Sequence, residues 1–144
     1  MSLFSVLSIG ASGMAAQRAR AELLTENLAN AETTRTPEGG PYRRKDVVFA
    51  STEVGSPFAS VFNGELESAG GVAVDGVVTD TRDPERRYLP GHPDADAEGY
   101  VAFPRVNPAE DMVDLMGAAR GYEANVAAMS AVKDMIARSL DLLR

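Results

Sequence analysis

The chain has no cysteine, no tryptophan and one histidine, His92, in 144 residues. Without cysteine there is no disulfide, no thiolate nucleophile and no Cys-ligated zinc or iron–sulfur site, and one histidine cannot supply both a catalytic base and a metal cluster. Positive charge is also scarce. Fourteen Lys and Arg stand against twenty-one Asp and Glu, a formal net charge of −7. That balance argues against a partner of nucleic acid or anionic lipid, since phosphate affinity needs clustered cations. No apolar run approaches the roughly 20 residues that span a bilayer. The start, Met1 to Ala11, is apolar and small but has no basic residue before Arg18, so a cleaved secretion signal is not expected.

Proline is missing from both ends. All eight prolines and nine of the thirteen glycines fall between residues 37 and 108, which leaves the two flanks free of helix breakers of the proline kind. Seven of the nine aromatic residues and twelve of the twenty-one acids share that middle stretch, while alanine and methionine gather at the ends. The pattern predicts a mainly α protein with a β-rich insert: an N-terminal helical part over 1–36, an irregular and β middle over 37–107, and a C-terminal helical part over 108–144.

In the first part Leu7, Met14, Ala21 and Leu28 recur every seven residues, with Leu3, Gly10, Gln17, Leu24 and Ala31 as a second row. In the last part Met112, Leu115, Ala119, Tyr122, Val126, Met129, Lys133, Ile136, Leu140 and Leu143 keep 3-4 spacing, with only Lys133 polar. Such rows predict long helices packed as a coiled coil. Asn107, Pro108 and Glu110 supply a cap, a first helical residue and a third-position acid. Helices over about 3–31 and 108–143 would be roughly 43 and 54 Å long at 1.5 Å per residue. Gly10, Gly13, Gly117 and Gly121, amid many alanines, predict close backbone approach, because each helical glycine otherwise costs about 0.5–1 kcal/mol relative to alanine. Two helices that offer only each other to pack against leave much apolar surface wet, which points to assembly.

The middle reads as short strands at Asp46 to Ala50, Ala59 to Phe62, Val72 to Thr79 and Tyr100 to Phe103. Asp75-Gly76 fits either a two-residue hairpin turn or a bulge in one strand. Asp94, Asp96 and Glu98 imitate half a calcium loop, but the twelfth position is Arg105 in place of a bidentate Glu, so a solvated acidic turn is the better reading. His92 has no partner histidine at ligand spacing, and no phosphate loop, dinucleotide fingerprint or nucleophile elbow is present. No catalytic, cofactor or metal residue is therefore assigned. Arg43-Arg44-Lys45, the one basic run, could contact nucleic acid beside Tyr42, but followed by Asp46 in an acidic chain it reads better as an intersubunit salt-bridge patch.

Four segments resemble one family. Asn27-Leu28-Ala29-Asn30-Ala31-Glu32-Thr33-Thr34 closes the first helix; Thr33-Thr34-Arg35-Thr36-Pro37-Glu38-Gly39-Gly40-Pro41-Tyr42-Arg43-Arg44-Lys45 follows; Pro90-Gly91-His92-Pro93-Asp94-Ala95-Asp96 leads into Glu98-Gly99-Tyr100-Val101; and Ala118-Ala119-Arg120-Gly121-Tyr122-Glu123-Ala124-Asn125 lies in the last helix. In this order they are similar to the bacterial flagellar basal-body rod protein family, nearest its proximal-rod branch, and the motif positions carried over are Asn27, Asn30, Pro37, Gly39, Gly40, Tyr42, Gly99, Tyr100, Asn107, Pro108, Arg120 and Asn125. One departure is Pro104-Arg105-Val106-Asn107-Pro108, where the family usually has asparagine at the place of Arg105. The resemblance implies a structural subunit, exported unfolded by the flagellar type III apparatus, that stacks helically into a torque-bearing shaft across the periplasm. It implies as partners copies of the chain itself, the other proximal and distal rod proteins and a base-level adaptor. A helical-hairpin adaptor or chaperone would share the heptads but fold alone as a soluble dimer, and a metal-dependent enzyme would need the acidic loop to bind a cation.

Overall fold

A computed structural model describes residues 3–53 and 70–141. The order of elements is α1 (Leu3–Ala29), β1 (Lys45–Glu53), β2 (Gly70–Thr79), β3 (Glu85–Tyr88), β4 (Tyr100–Phe103) and α2 (Pro108–Asp141). The expected strand at Ala59 to Phe62 lies outside the described residues.

The helices run antiparallel, as three facing positions show. A Cβ added at Gly10 would lie 2.9 Å from Cγ of Met129, one at Gly13 3.0 Å from Nδ2 of Asn125, and one at Gly121 3.2 Å from Cδ of Gln17. Residue numbers rise on one helix as they fall on the other. The small residues do what their cost requires: they let side chains of the opposite helix sit directly on backbone. Gly117 is different, since a Cβ there would meet nothing within 4 Å.

Each helix ends where its chemistry changes. Asn30 stops α1: its N–H donates to the carbonyls of Glu26 and Asn27, its Nδ2 donates to Glu26, and its Oδ1 accepts from Oγ1 of Thr33. These bonds satisfy carbonyls that the last turn would leave open. At the other end Asn107 Oδ1 accepts from the Ala109 N–H at 3.2 Å, Pro108 takes the first helical position, and Glu110 and Asp111 place acids in the first turn, where the helix dipole favours them.

β1 and β2 pair antiparallel from Lys45↔Thr79 to Glu53↔Gly70, with a register shift between Val48 and Phe49 that leaves Asp75 unpaired. The bulge, not a hairpin at Asp75-Gly76, is therefore the outcome, and the ten residues of β2 form one strand. β3 and β4 make a second two-stranded sheet, Glu85↔Phe103 to Tyr88↔Tyr100. β3 was absent from the sequence expectation because Glu85-Arg86-Arg87-Tyr88 shows no apolar alternation, and all four residues are exposed. Its partner supplies the inward side chains: Val101 is fully buried and Phe103 nearly so.

Neither sheet forms a core of its own, and a two-stranded ribbon gains stability by packing on something else. β1 and β2 lie against α1, where the N–H of Val72 donates to Oγ of Ser12. α1 is thus covered on two sides, by α2 and by the ribbon. Its buried positions, Ala16, Leu24 and Asn27, follow from that double coverage. Among the described residues no helix is long and apolar enough to cross a membrane.

Candidate assembly interface

The middle segment is tied to both helices by two consecutive residues, Arg44 just before β1 and Lys45 as its first residue. Lys45 goes to α1. Its N–H donates to Asn27 Oδ1 at 2.9 Å, its carbonyl accepts from Asn27 Nδ2 at 2.8 Å, and the Tyr42 hydroxyl donates to the same Oδ1 at 2.9 Å. The side-chain amide of Asn27 thus pairs with a strand backbone as another strand would, inside the protein at 0% exposure. Asparagine alone among small side chains offers donor and acceptor in that plane. Glu26 adds an ion pair to Nζ of Lys45 at 2.6 Å. Burial, with Glu26 nearby, pushes the Tyr42 phenol up to about 12.

Arg44 goes to α2. Its Nη2 donates to Oδ1 of Asp111 at 2.9 Å and lies 3.3 Å from Asp46. Asp111 is 1% exposed, and both its Oδ2 and the Nε of Arg44 lack a hydrogen-bond partner. Burial raises the Asp111 carboxyl above its usual range, with Arg44 opposing. The attraction of such a pair only partly repays the cost of burying its charges, so losing Arg44 would leave the Asp111 carboxyl buried without a partner.

The acidic loop is spent on its own folding. Asp96 Oδ1 accepts from the N–H groups of Tyr100 and Glu98 and its Oδ2 meets Arg86; the backbone bonds, that of Tyr100 first, and then Arg86 hold its carboxyl below the usual range. Asp94 accepts from the Thr34 hydroxyl at 2.8 Å. His92 Nδ1 accepts from the Asp94 N–H, so the histidine is a turn residue. Among the described residues no group of three metal-ligating side chains comes together.

The predicted helix-face residues divide. On α1, Leu24 is buried and Leu7, Gly10, Met14, Ala21 and Leu28 are half-buried; on α2, Leu115, Met129 and Ile136 are half-buried. Met112, Ala119, Tyr122, Val126 and Leu140 are exposed, Val126 at 41% and Leu140 at 62%. The row that α2 turns to α1 is the adjoining one: Asp111, Ala118 and Val132 are buried, and Asn125 faces Gly13. Within one chain this corrects the expectation for the row of Met112, Ala119, Val126 and Leu140, whereas Met129 of the other expected row does face Gly10 of α1. Asp111 and Asn125 are polar, so hydropathy periodicity passed over their row and chose its more apolar neighbour. The signal that could have found it is the small-residue pairing of Gly10 and Gly13 with long side chains opposite. A shallow groove between the helices is lined by Gln17, Ala21, Ala118, Ala119, Tyr122 and Glu123.

The motif residues serve turns, pins and caps. Gly39, Gly40 and Gly99 have φ of 92°, 78° and 84°, the left-handed region that glycine enters without strain; the first two close a turn in which the Thr36 N–H donates to the Gly40 carbonyl at 2.8 Å. Pro37 is exposed beside that turn, Tyr42 and Asn27 form the buried pin, and Tyr100 stacks edge-on with Tyr88 at 5.4 Å. Arg120 is exposed on α2, whereas Asn125 donates to the carbonyl of Gly121. Arg44 and Lys45, expected to face other subunits, are instead used within the chain, and only Arg43 of that run is exposed.

Similarity to known proteins is end to end. The C-terminal family model of the flagellar basal body rod FlgEFG proteins matches residues 97–142. The flagellar basal-body rod protein FlgC of Bacillus subtilis is 42% identical over 99% of this chain and 99% of its own length. FlgC of Borreliella burgdorferi is 38% identical over 100% and 99%, and that of Salmonella typhimurium 37% over 99% and 98%. With every element described above inside those aligned lengths, the chain belongs to the FlgC family of flagellar basal-body rod proteins.

Proposed function

We propose that this rod protein is a structural, non-enzymatic subunit of the proximal rod, stacking helically with copies of itself and with neighbouring proximal and distal rod proteins into the shaft that carries torque across the periplasm. The base-level adaptor meets its lower end, and the flagellar type III apparatus exports it without a cleaved signal. In the assembly the paired helices form coiled-coil contacts of the inner wall and residues 37–107 pack outside them.

One observation carries this reading: α2 uses the row of Asp111, Ala118, Asn125 and Val132 against α1 and leaves the row of Met112, Ala119, Val126 and Leu140 open. A helix with a second apolar row that finds no partner among the described residues of its own chain is suited to meet another chain. Among the described residues the buried polar groups Asn27 and Asp111 hold local geometry through bonds to Lys45 and Arg44, which suits a part that transmits force. Deleting the gene in a motile strain should abolish rods in purified basal bodies, and a plasmid copy should restore them. Normal rods in the deletion strain would overturn the proposal.

A further inference from the structure

The basic run leaves one charge unaccounted for, and the fold gives it a companion. Arg43, Arg44, Arg82 and Arg105, with Asp80, line a shallow concavity walled by Pro41, Tyr42 and Pro84. Two of the four arginines are neutralised there or behind it: Arg44 by Asp111 and Asp46, and Arg82 by Asp80 at 2.6 Å. Arg43 donates from Nη1 to the carbonyl oxygens of Asp80 and Arg82 at 3.1 and 3.4 Å, which positions its guanidinium without cancelling its charge. Arg105 is exposed and, among the described residues, neither it nor Arg43 forms an ion pair. The nearest acids that sense Arg105, Asp80 and Glu85, are already bonded to Arg82 and Arg87. The surplus of cation is felt at Asp80, whose carboxyl is held down at about 2, first by its bonds to Arg82 and further by Arg105.

On a chain of net charge −7, two uncompensated guanidinium groups in one walled hollow make a receptor for a carboxylate, which their planar forks match. The occupant follows from charge. Copies of an acidic chain repel one another unless a patch of opposite sign meets the acidic surface, and a head-to-tail stack needs two different patches on each copy. Glu32, Glu38, Glu98 and Glu123 are exposed, and among the described residues none is in an ion pair.

We infer that the Arg43–Arg105 hollow is an intersubunit contact that takes carboxylate side chains of a second copy of this chain. The inference rests on the rod reading above. Arg105 is then a specificity residue of this chain for its own copies.

The test uses basal bodies purified from cells in which this chain is the rod subunit. Arg105→Lys keeps the charge and supplies an amine, so treatment with a carbodiimide, a zero-length coupler of amine to carboxylate, should produce a band at twice the chain mass on a denaturing gel. Mass spectrometry should place the link between residue 105 and an Asp or Glu peptide of the same protein, and the yield should fall at least tenfold in Arg105→Gln. The double variant Arg43→Glu/Arg105→Glu should be exported at the normal level and lose motility. A link from residue 105 to a different protein, no link in rods that form normally, or a motile double variant would overturn the hollow while leaving the rod reading intact. Absence of the wild-type chain from the basal bodies would overturn the rod reading, and this inference with it.

Discussion

At the scale of single residues the structure turns on polar side chains in buried places. Asn27 replaces a missing strand for Lys45, and truncating it strands the N–H and carbonyl of Lys45 and the hydroxyl of Tyr42 together. Each stranded buried group costs about 1–3 kcal/mol. Asn27→Ala should therefore lower the denaturant midpoint of the purified chain far more than Tyr42→Phe, which removes one bond; equal effects would show that the amide is not the pin. The same site gives a pH dependence with a defined sign. The Tyr42 phenol is raised from 10 to about 12 in the folded chain, so its contribution to stability is complete below about pH 10 and is lost as pH rises through about 12. In an ultraviolet titration one of the four tyrosines should ionise near pH 12, and Tyr42→Phe should remove that step alone.

Elements meet through glycine, and the glycines are not equivalent. Gly13 lies under Asn125, whose amide is held by the carbonyl of Gly121, so a methyl group added at Gly13 has 3.0 Å where it needs more. Gly117 opens onto free space in the single chain. Gly117→Ala should raise helicity and stabilise the isolated chain by about 0.5–1 kcal/mol, the ordinary gain of replacing a helical glycine. Gly13→Ala should fail to show that gain, measured by circular dichroism and thermal melting. Together the two substitutions separate propensity from packing: an equal gain from both would mean the helices are not in close contact. Gly117→Leu adds the assembly to the question, since among the described residues nothing lies within 4 Å of a Cβ placed there.

For the whole molecule the decisive contrast is between two valines six residues apart on α2. Val132 is 7% exposed against α1, and Val126 is 41% exposed. A carboxylate buried at Val132 costs several kcal/mol or must take up a proton, whereas surface replacements usually stay within about ±0.5 kcal/mol. Val132→Asp should unfold the helix pair of the isolated chain. Val126→Asp should leave that chain's melting unchanged yet stop flagellar construction at the rod, with the protein still made and exported. Lys133→Glu, at an exposed position that already carries charge, is the milder control. A motile Val126→Asp strain would show that the open row of α2 meets no other subunit.

Composition and spacing alone determined the large plan: proline confined to 37–108 forced helices to the flanks, Asn107-Pro108 set the start of α2 to the residue, and the alternating valines of 72–79 marked β2. Those features are local. A cap, a breaker or a period acts within a few residues, so its effect is written in adjacent positions. β3 was not legible, because its strand character comes from pairing with β4 and its own side chains all face solvent. Which row of α2 faces α1 was not legible either. Hydropathy favoured Met112, Ala119 and Val126, but Arg44, just before β1, supplies the ion pair that lets Asp111 be buried, and Gly13 supplies the space that Asn125 fills. Only the tertiary structure brings those partners from 67 and 112 positions away, and the burial of a polar side chain is decided by the partner it finds, which no window of neighbouring residues contains.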